Sequence, residues 1–276
     1  MIWKHKESGG PLGLIAGEGE FPLLIAETAY GLGREVILFG VEGITDKRAE
    51  AFSKEAFYVG LGSLERLLSL LKEKKINEVV LAGAVPKKEI YNPDFKFDDT
   101  ARNFVFKAQN KGDDHLLRAF KIFLKVKCGV SIVDSRVILK KMLAPKGVMT
   151  RRAPSGEEWK DLKFGYKIAK GIGKLDIGQT VVVKQGLVLA VEALEGTDQA
   201  IRRGGELGQK DAVVVKVAKP NQDLSMDLPC IGIETLEALK SAGSKVLGVE
   251  AGKSITLYKD KLIETADRYG MTLVGL

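Results

Sequence analysis

Apolar positions along this chain follow two rhythms, and the alternation between them predicts the fold. Leu12-Gly13-Leu14-Ile15-Ala16 is an uninterrupted apolar run after a loose polar stretch over residues 1–11, and it predicts a buried strand. Gly17-Glu18-Gly19 turns the chain, and Phe21-Pro22 opens a helix to about Gly31, with proline in a first turn where its missing N–H costs nothing. Strands are expected at 35–39, 56–59 and 78–82, and an amphipathic helix at 63–74 with Ser63 as its N-cap. Leu116, Leu117, Phe120, Phe123 and Leu124 recur at three-to-four spacing and predict a helix over 100–127, followed by a short strand at 130–133. Strands alternating with helices at this spacing imply a parallel sheet covered by helices.

The second half keeps both rhythms but adds hairpins. A helix is expected at 157–171, then strands at 180–184 and 187–192 split by the turn Gln185-Gly186. A helix at 197–203, a strand at 212–217, a helix at 235–242, strands at 245–249 and 254–258, a helix at 259–269 and a strand at 272–274 follow. Pro145-Lys146-Gly147 and Arg151-Arg152-Ala153-Pro154-Ser155-Gly156 are basic and turn-rich. The expected class is therefore α/β in two domains: a Rossmann-like domain with a mostly parallel sheet over 1–133, a linker region over 134–156, and a mixed α/β domain with hairpins over 157–276 that carries the main acidic motifs.

Length agrees, since 276 residues at about 150 per domain give about two. With 45% hydrophobic and 29% charged residues, a mostly disordered chain is excluded. No apolar run approaches the ~18 uncharged residues of a membrane span. The start, Met1-Ile2-Trp3-Lys4-His5-Lys6-Glu7, has no apolar core, so no secretory signal is expected there. Two cysteines and two histidines cannot assemble a structural cysteine zinc site, so any metal would sit among carboxylates, which favours magnesium or another hard cation. A net charge of +7 suits an anionic partner: phosphate, nucleic acid or an anionic membrane surface. Aromatics are 7% and do not interleave with a basic run, which speaks against nucleic-acid binding by stacking.

Four stretches could carry chemistry. The turn Gly13–Gly19 could cradle an anion at a helix start, with Gly17 and Gly19 approaching it, or could be a tight turn that merely needs glycine. As a dinucleotide site it is poor, because Pro22 stands at the third glycine position and the second strand ends Leu38-Phe39-Gly40 with no carboxylate at its tip. Lys111-Gly112-Asp113-Asp114 precedes a helix; the carboxylates could bind a cation beside a lysine, or one of them could be an N-cap. Glu192, Glu195, Thr197, Asp198, Arg202 and Arg203 gather acids, a hydroxyl and guanidiniums where a helix begins, which suits a magnesium–phosphate site or simple capping by Thr197. Lys219-Pro220 leads to Met226-Asp227-Leu228-Pro229, where an aspartate among apolar residues wants a charged partner or a turn's N–H groups. No G-x-S-x-G elbow or H-E-x-x-H pair is present.

Taken together, these stretches resemble the LpxI type of UDP-2,3-diacylglucosamine pyrophosphatase. The match rests on Gly13-Leu14-Ile15-Ala16-Gly17, Lys111-Gly112-Asp113-Asp114, Leu175-Asp176-Ile177-Gly178-Gln179, residues 186–198, Arg202-Arg203, Lys219-Pro220 and Asp227-Leu228-Pro229. One turn departs: the family's A-G-x-V-x-R-P pattern reads Ala82-Gly83-Ala84-Val85-Pro86-Lys87-Lys88 here, and lysine cannot make arginine's bidentate fork. The resemblance implies magnesium-dependent hydrolysis of UDP-2,3-diacylglucosamine to UMP and 2,3-diacylglucosamine 1-phosphate in lipid A biosynthesis, with water attacking the α-phosphorus. It also implies two domains with the lipid-sugar held between them, and Asp227 as the essential aspartate.

From chemistry and motif position, Asp198 and Glu195 join Asp227 as catalytic candidates. Gly17, Gly19, Lys111, Thr197, Arg202, Arg203 and Lys219 are substrate- or phosphate-binding candidates, and Asp113, Asp114 and Glu192 join Asp227 as candidate metal ligands. The expected partners are a lipid-linked nucleotide-sugar and, transiently, an anionic membrane surface; no nucleic acid is expected, and a homodimer is the candidate assembly. The expected location is cytoplasmic, peripheral to the inner membrane. Two rivals remain: a dinucleotide-dependent oxidoreductase built on the first glycine turn, and a non-enzymatic binding protein for lipid or nucleotide-sugar.

Overall fold

Unbroken apolar runs need cover on both faces, and the structure supplies it twice. The computed structural model describes residues 10–84, 96–108, 113–225 and 228–276, with backbone alone at 107–108 and 113–115. Two compact units divide at Ile138 and Leu139. Residues 139–156 of the stretch read as a linker are thus counted with the second unit, where Gly147–Val148 pairs as a short edge strand.

In the first unit, β1 (Leu12–Ala16), β2 (Val36–Val41), β3 (Glu55–Val59), β4 (Glu78–Ala82) and β5 (Ser131–Ile132) form one sheet in the order β3-β2-β1-β4-β5. Every neighbouring pair in it is parallel. The helices are α1 (Phe21–Gly31), α2 (Leu64–Glu73), α3 (Asp99–Ala108), α4 (Asp113–Cys128) and α5 (Ser135–Ile138). Leu12, Leu14, Leu38, Phe39, Val79 and Val80 are all buried, as both-face cover requires. Over the stretch expected as helical, 100–127, the described residues form α3 up to Ala108 and α4 from Asp113, with 109–112 outside the described residues. The Phe104 ring packs on Phe120 and Phe123 at 5.9 and 5.1 Å, so the aromatic residues of the two segments bury one another.

The N-cap role expected of Ser63 is also corrected. Its side chain makes no capping bond; Asp98 accepts from the Glu65 N–H instead, and from the Ala101 N–H at the start of α3.

In the second unit, β6 (Gly147–Val148), β7 (Thr180–Lys184), β8 (Leu187–Val191), β9 (Val213–Lys216), β11 (Val246–Val249) and β13 (Thr272–Gly275) form a mixed sheet in the order β6-β13-β11-β9-β7-β8. A small parallel pair joins β10 (Cys230–Ile231) to β12 (Ile255–Thr256). The helices are α6 (Gly156–Lys174), α7 (Thr197–Gly208), α8 (Ile233–Ser241) and α9 (Lys259–Arg268). Alternation sorts the side chains. Val181, Val183, Val213 and Val215 pack with Leu162 and Ala169 of α6. Val182, Val214, Leu247 and Leu273 pack with Ile201, Leu236, Leu239 and Leu262 of α7, α8 and α9. The expected hairpin at Gln185-Gly186 is present, and both turn residues take positive φ.

Candidate functional site

Strand direction decides which residues of the second unit can meet. β7 runs antiparallel to both β8 and β9, while β9, β11 and β13 run parallel. Hence β8, β9, β11 and β13 end at the same edge, where β7 begins. Doubly wound sheets bind ligands at such a carboxyl edge. Here it gathers Glu192 after β8, Lys216 at the end of β9, Glu250 after β11 and Thr180 at the start of β7.

Glu192 is 8% exposed and held from three sides. Its N–H donates to the Thr180 carbonyl, its Oε1 accepts from the Thr197 hydroxyl at 2.9 Å, and its Oε2 accepts from the Gln179 N–H at 3.2 Å. Gly178 explains its own place in the Asp-Ile-Gly-Gln run, because a Cβ there would stand 2.1 Å from the Glu192 carbonyl oxygen. The Gln179 Oε1 atom is buried with no hydrogen-bond partner among the described residues.

The expected cluster at the start of α7 does assemble, but its charges are partly spent on one another. Arg203 Nη2 donates to Glu195 at 2.6 Å and to the Val191 carbonyl at 2.8 Å. The Glu195 backbone N–H and then Arg203 hold the Glu195 carboxyl below its usual range, which makes it a weak base at neutral pH. Asp198 stands half-exposed in the first turn of α7, and Arg202 is exposed one turn on. Lys219 reaches Asp176 at 2.6 Å, which ties two of the quoted motifs together.

A buried network at the same edge was missed by sequence reasoning. Glu250, 5% exposed, accepts from Lys170 at 2.9 Å, from Lys253 at 2.8 Å, from the Tyr166 hydroxyl at 3.2 Å and from the Ala218 N–H at 3.0 Å. Lys170 also donates to the Ala218 carbonyl at 2.7 Å, so Ala218 is gripped at both its N–H and its carbonyl just before Lys219. Burial pushes the Glu250 carboxyl up, but hydrogen bonds from Lys253 and Lys170 outweigh it and leave it below the ordinary range. Residues 80 apart make this pair, and no local pattern marks it.

In the first unit, the glycine turn is stitched to the chain after β4. The Gly17 N–H donates to the Ala82 carbonyl and the Glu18 N–H to the Ala84 carbonyl, and Ala84 returns the bond to Glu18. A Cβ at Gly17 would meet the Ala84 carbonyl at 2.3 Å, so close backbone approach requires this glycine. Its N–H is thereby committed within the protein, whereas a Cβ at Gly19, at φ +94°, would have nothing within 4 Å among the described residues. β2 runs on to Val41 with Glu42 directly after it, so the strand tip does carry a carboxylate, contrary to expectation. Asp113 and Asp114 open α4.

Lys111 and Asp227 lie outside the described residues, as do the side chains of Asp113 and Asp114. Among the described residues no group of three carboxylate, histidine or cysteine side chains could hold a metal ion. Among the described residues each Glu192 oxygen accepts one hydrogen bond and keeps a lone pair to spare. That suits magnesium carried chiefly by substrate phosphates and water with one or two protein carboxylates, rather than an all-protein cage. No helix among the described residues is long and apolar enough to cross a membrane.

Comparison with known proteins covers nearly the whole chain. Residues 11–142 match the family model described as the LpxI N-terminal domain, and residues 145–274 match the LpxI C-terminal domain. The chain is 31% identical over 275 residues to the UDP-2,3-diacylglucosamine pyrophosphatase LpxI of Caulobacter vibrioides, covering 96% of this chain and 97% of that protein. Over 132 residues, 46% of this chain, it is 30% identical to the bifunctional purine biosynthesis protein PurH of Bacillus cereus, of which it spans only 22%. Among solved structures, N5-carboxyaminoimidazole synthetase from Staphylococcus aureus aligns at 13% identity and a TM-score of 0.26, over 75% of this chain and 46% of that one. The biotin carboxylase domain of a thermophilic 2-oxoglutarate carboxylase aligns at 17% identity and a TM-score of 0.24, over 62% of this chain and 34% of that one.

Proposed function

The chain belongs to the LpxI family, and on that premise we propose that it is a nucleotide-sugar pyrophosphatase that hydrolyses UDP-2,3-diacylglucosamine in lipid A synthesis. The end-to-end likeness to the Caulobacter vibrioides enzyme, over 96% of this chain, carries the reading. In the proposed reaction a water oxygen bonds to the α-phosphorus as the bond to the bridging oxygen breaks. The electron pair leaves with the β-phosphate, giving UMP and 2,3-diacylglucosamine 1-phosphate. Asp227 takes up the proton of the attacking water. In the sequence it lies among Met226, Leu228 and Pro229, an apolar run in which a carboxylate wants a charged partner.

Glu192 and Asp227 are the proposed carboxylates for magnesium, which would neutralise charge on the non-bridging phosphate oxygens. Thr197, at the positive end of α7, would face phosphate, with Arg202 and Lys219 as further cations and Asp198 as a second acid. Glu195 and Arg203 act there as a mutual pair that shapes the turn. Lys111, Asp113, Asp114 and Gly19 enter through motif chemistry alone. The proposed setting is the cytoplasmic face of the inner membrane, touched transiently. Ile122 and Val126 of α4, 65% and 76% exposed, stand among Arg118, Lys121, Lys125 and Lys127 with no acid over residues 116–128, which supports an anionic lipid surface as partner.

The deciding experiment is UMP release from UDP-2,3-diacylglucosamine in oxygen-labelled water, with magnesium and with a chelator. Label on UMP, lost activity on chelation and a folded but inactive Asp227→Ala protein are expected. Label on the sugar phosphate would move the attack to the other phosphorus, and retained turnover in Asp227→Ala would remove its catalytic role. No release at all would bring the binding-protein reading forward.

A further inference from the structure

We propose that Lys216 contacts phosphate, its ammonium binding a non-bridging oxygen of the nucleotide-sugar's pyrophosphate; this rests on the nucleotide-sugar reading above. Lys216 is the last residue of β9, an interior strand, with Thr180 of β7 opposite on one side and Val249 of β11 on the other. It is 8% exposed. Strand alternation places it on the face of Val214, whose neighbours there are the apolar side chains of α7, α8 and α9. An aliphatic residue would pack in such a position, so burial alone does not call for an amine.

The ammonium has three N–H donors, and its one hydrogen bond among the described residues goes to the Cys230 carbonyl at 2.9 Å. No carboxylate among the described residues pairs with it. The neighbouring cations of this edge differ: Glu250 takes Lys170 and Lys253, Asp176 takes Lys219, and Glu195 takes Arg203. Among the described residues this buried charge has no counter-charge, and an arriving anion would supply one.

The surroundings combine a helix N-terminus with the Glu192 carboxylate, which accepts from the Thr197 hydroxyl and is proposed above for magnesium. Thr180, opposite Lys216 in the sheet, has its hydroxyl 3.4 Å from that of Thr197, at the positive end of a twelve-residue helix. Cys230 lies three residues beyond Asp227, so the Lys216 contact also ties the end of β9 to the segment that follows the proposed general base.

A purely structural lysine would serve only as a tether between β9 and Cys230. Lys216→Gln separates the two roles, since its amide can still donate to that carbonyl but carries no charge. The test titrates UDP into the full-length chain by calorimetry, for wild type, Lys216→Gln and Lys216→Arg, with a thermal melt of each. Losing a charge-assisted bond should weaken UDP about 10- to 100-fold in Lys216→Gln at near-wild-type Tm, with Lys216→Arg recovering part of it. Wild-type UDP affinity in a folded Lys216→Gln protein overturns the proposal. Should the variants fail to fold, the lysine ε-carbon resonance of Lys216 in the wild type must shift on adding inorganic pyrophosphate, and a fixed resonance overturns it. UMP release by the wild type is scored separately. Release with unchanged Lys216→Gln affinity removes Lys216 and keeps the reaction, while Lys216-dependent UDP binding without release keeps the contact and removes the reaction.

Discussion

Glu250 shows how much a single side chain organises at the sheet's carboxyl edge. It neutralises two lysines and fixes the Ala218 N–H, so the chain enters the Lys219-Pro220 segment from a pinned peptide. Glu250→Gln would leave Lys170 and Lys253 without their counter-charge, at an expected cost of about 3 kcal/mol in stability. Because the folded carboxyl titrates below its ordinary 4.5, its stabilising contribution is complete above that pH and is lost as pH falls through the lowered value. Wild-type Tm should therefore drop on acidification below about 4.5, and the Glu250→Gln protein should lose less over the same range, as calorimetry at pH 7 and pH 3.5 would read. Equal acid sensitivity of the two proteins would rule this carboxylate out as a source of it.

At the scale of elements, helix starts are secured by distant side chains as well as by local ones. α6 has a complete local capping box, with Ser155 and Glu158 bonding each other's backbone N–H. α2 has no such device at Ser63; Asp98 caps it from 33 residues away and caps α3 as well. Asp98→Ala removes both caps and should cost about 1–2 kcal/mol, while Asp98→Asn should recover much of it. Chemical unfolding of the full chain measures both, and a neutral Asp98→Ala result would mean that water satisfies these N–H groups equally well.

At the scale of the whole molecule, a net charge of +7 and the exposed apolar pair Ile122 and Val126 lead to a membrane prediction. The protein should co-sediment with anionic vesicles at about 0.05 M salt and be released at about 0.5 M, where charges are screened within ~4–5 Å. Ile122→Glu with Val126→Glu should abolish co-sedimentation and leave the fold intact. Binding to neutral vesicles alone, or unchanged binding in that double variant, would place the contact elsewhere.

The elements and the fold class are legible along the chain. Short apolar runs such as Leu12–Ala16 and Val181–Val183, rich in branched residues and bounded by turn signals, read as strands, and the three-to-four spacing of Leu67, Leu70 and Leu71 reads as the core face of a helix. The sequence also showed the acids and arginines at the start of α7, because those residues are neighbours along the chain. Tertiary structure alone decided which charges are already spoken for. Lys216 ends a Val-Val-Val-Lys strand and reads as any strand's polar terminus, and Glu250 and Lys170 lie 80 residues apart. Their roles follow from which strands end at one edge of the sheet, since a buried charge is fixed by the partner it meets in space, and a local pattern carries no record of that meeting.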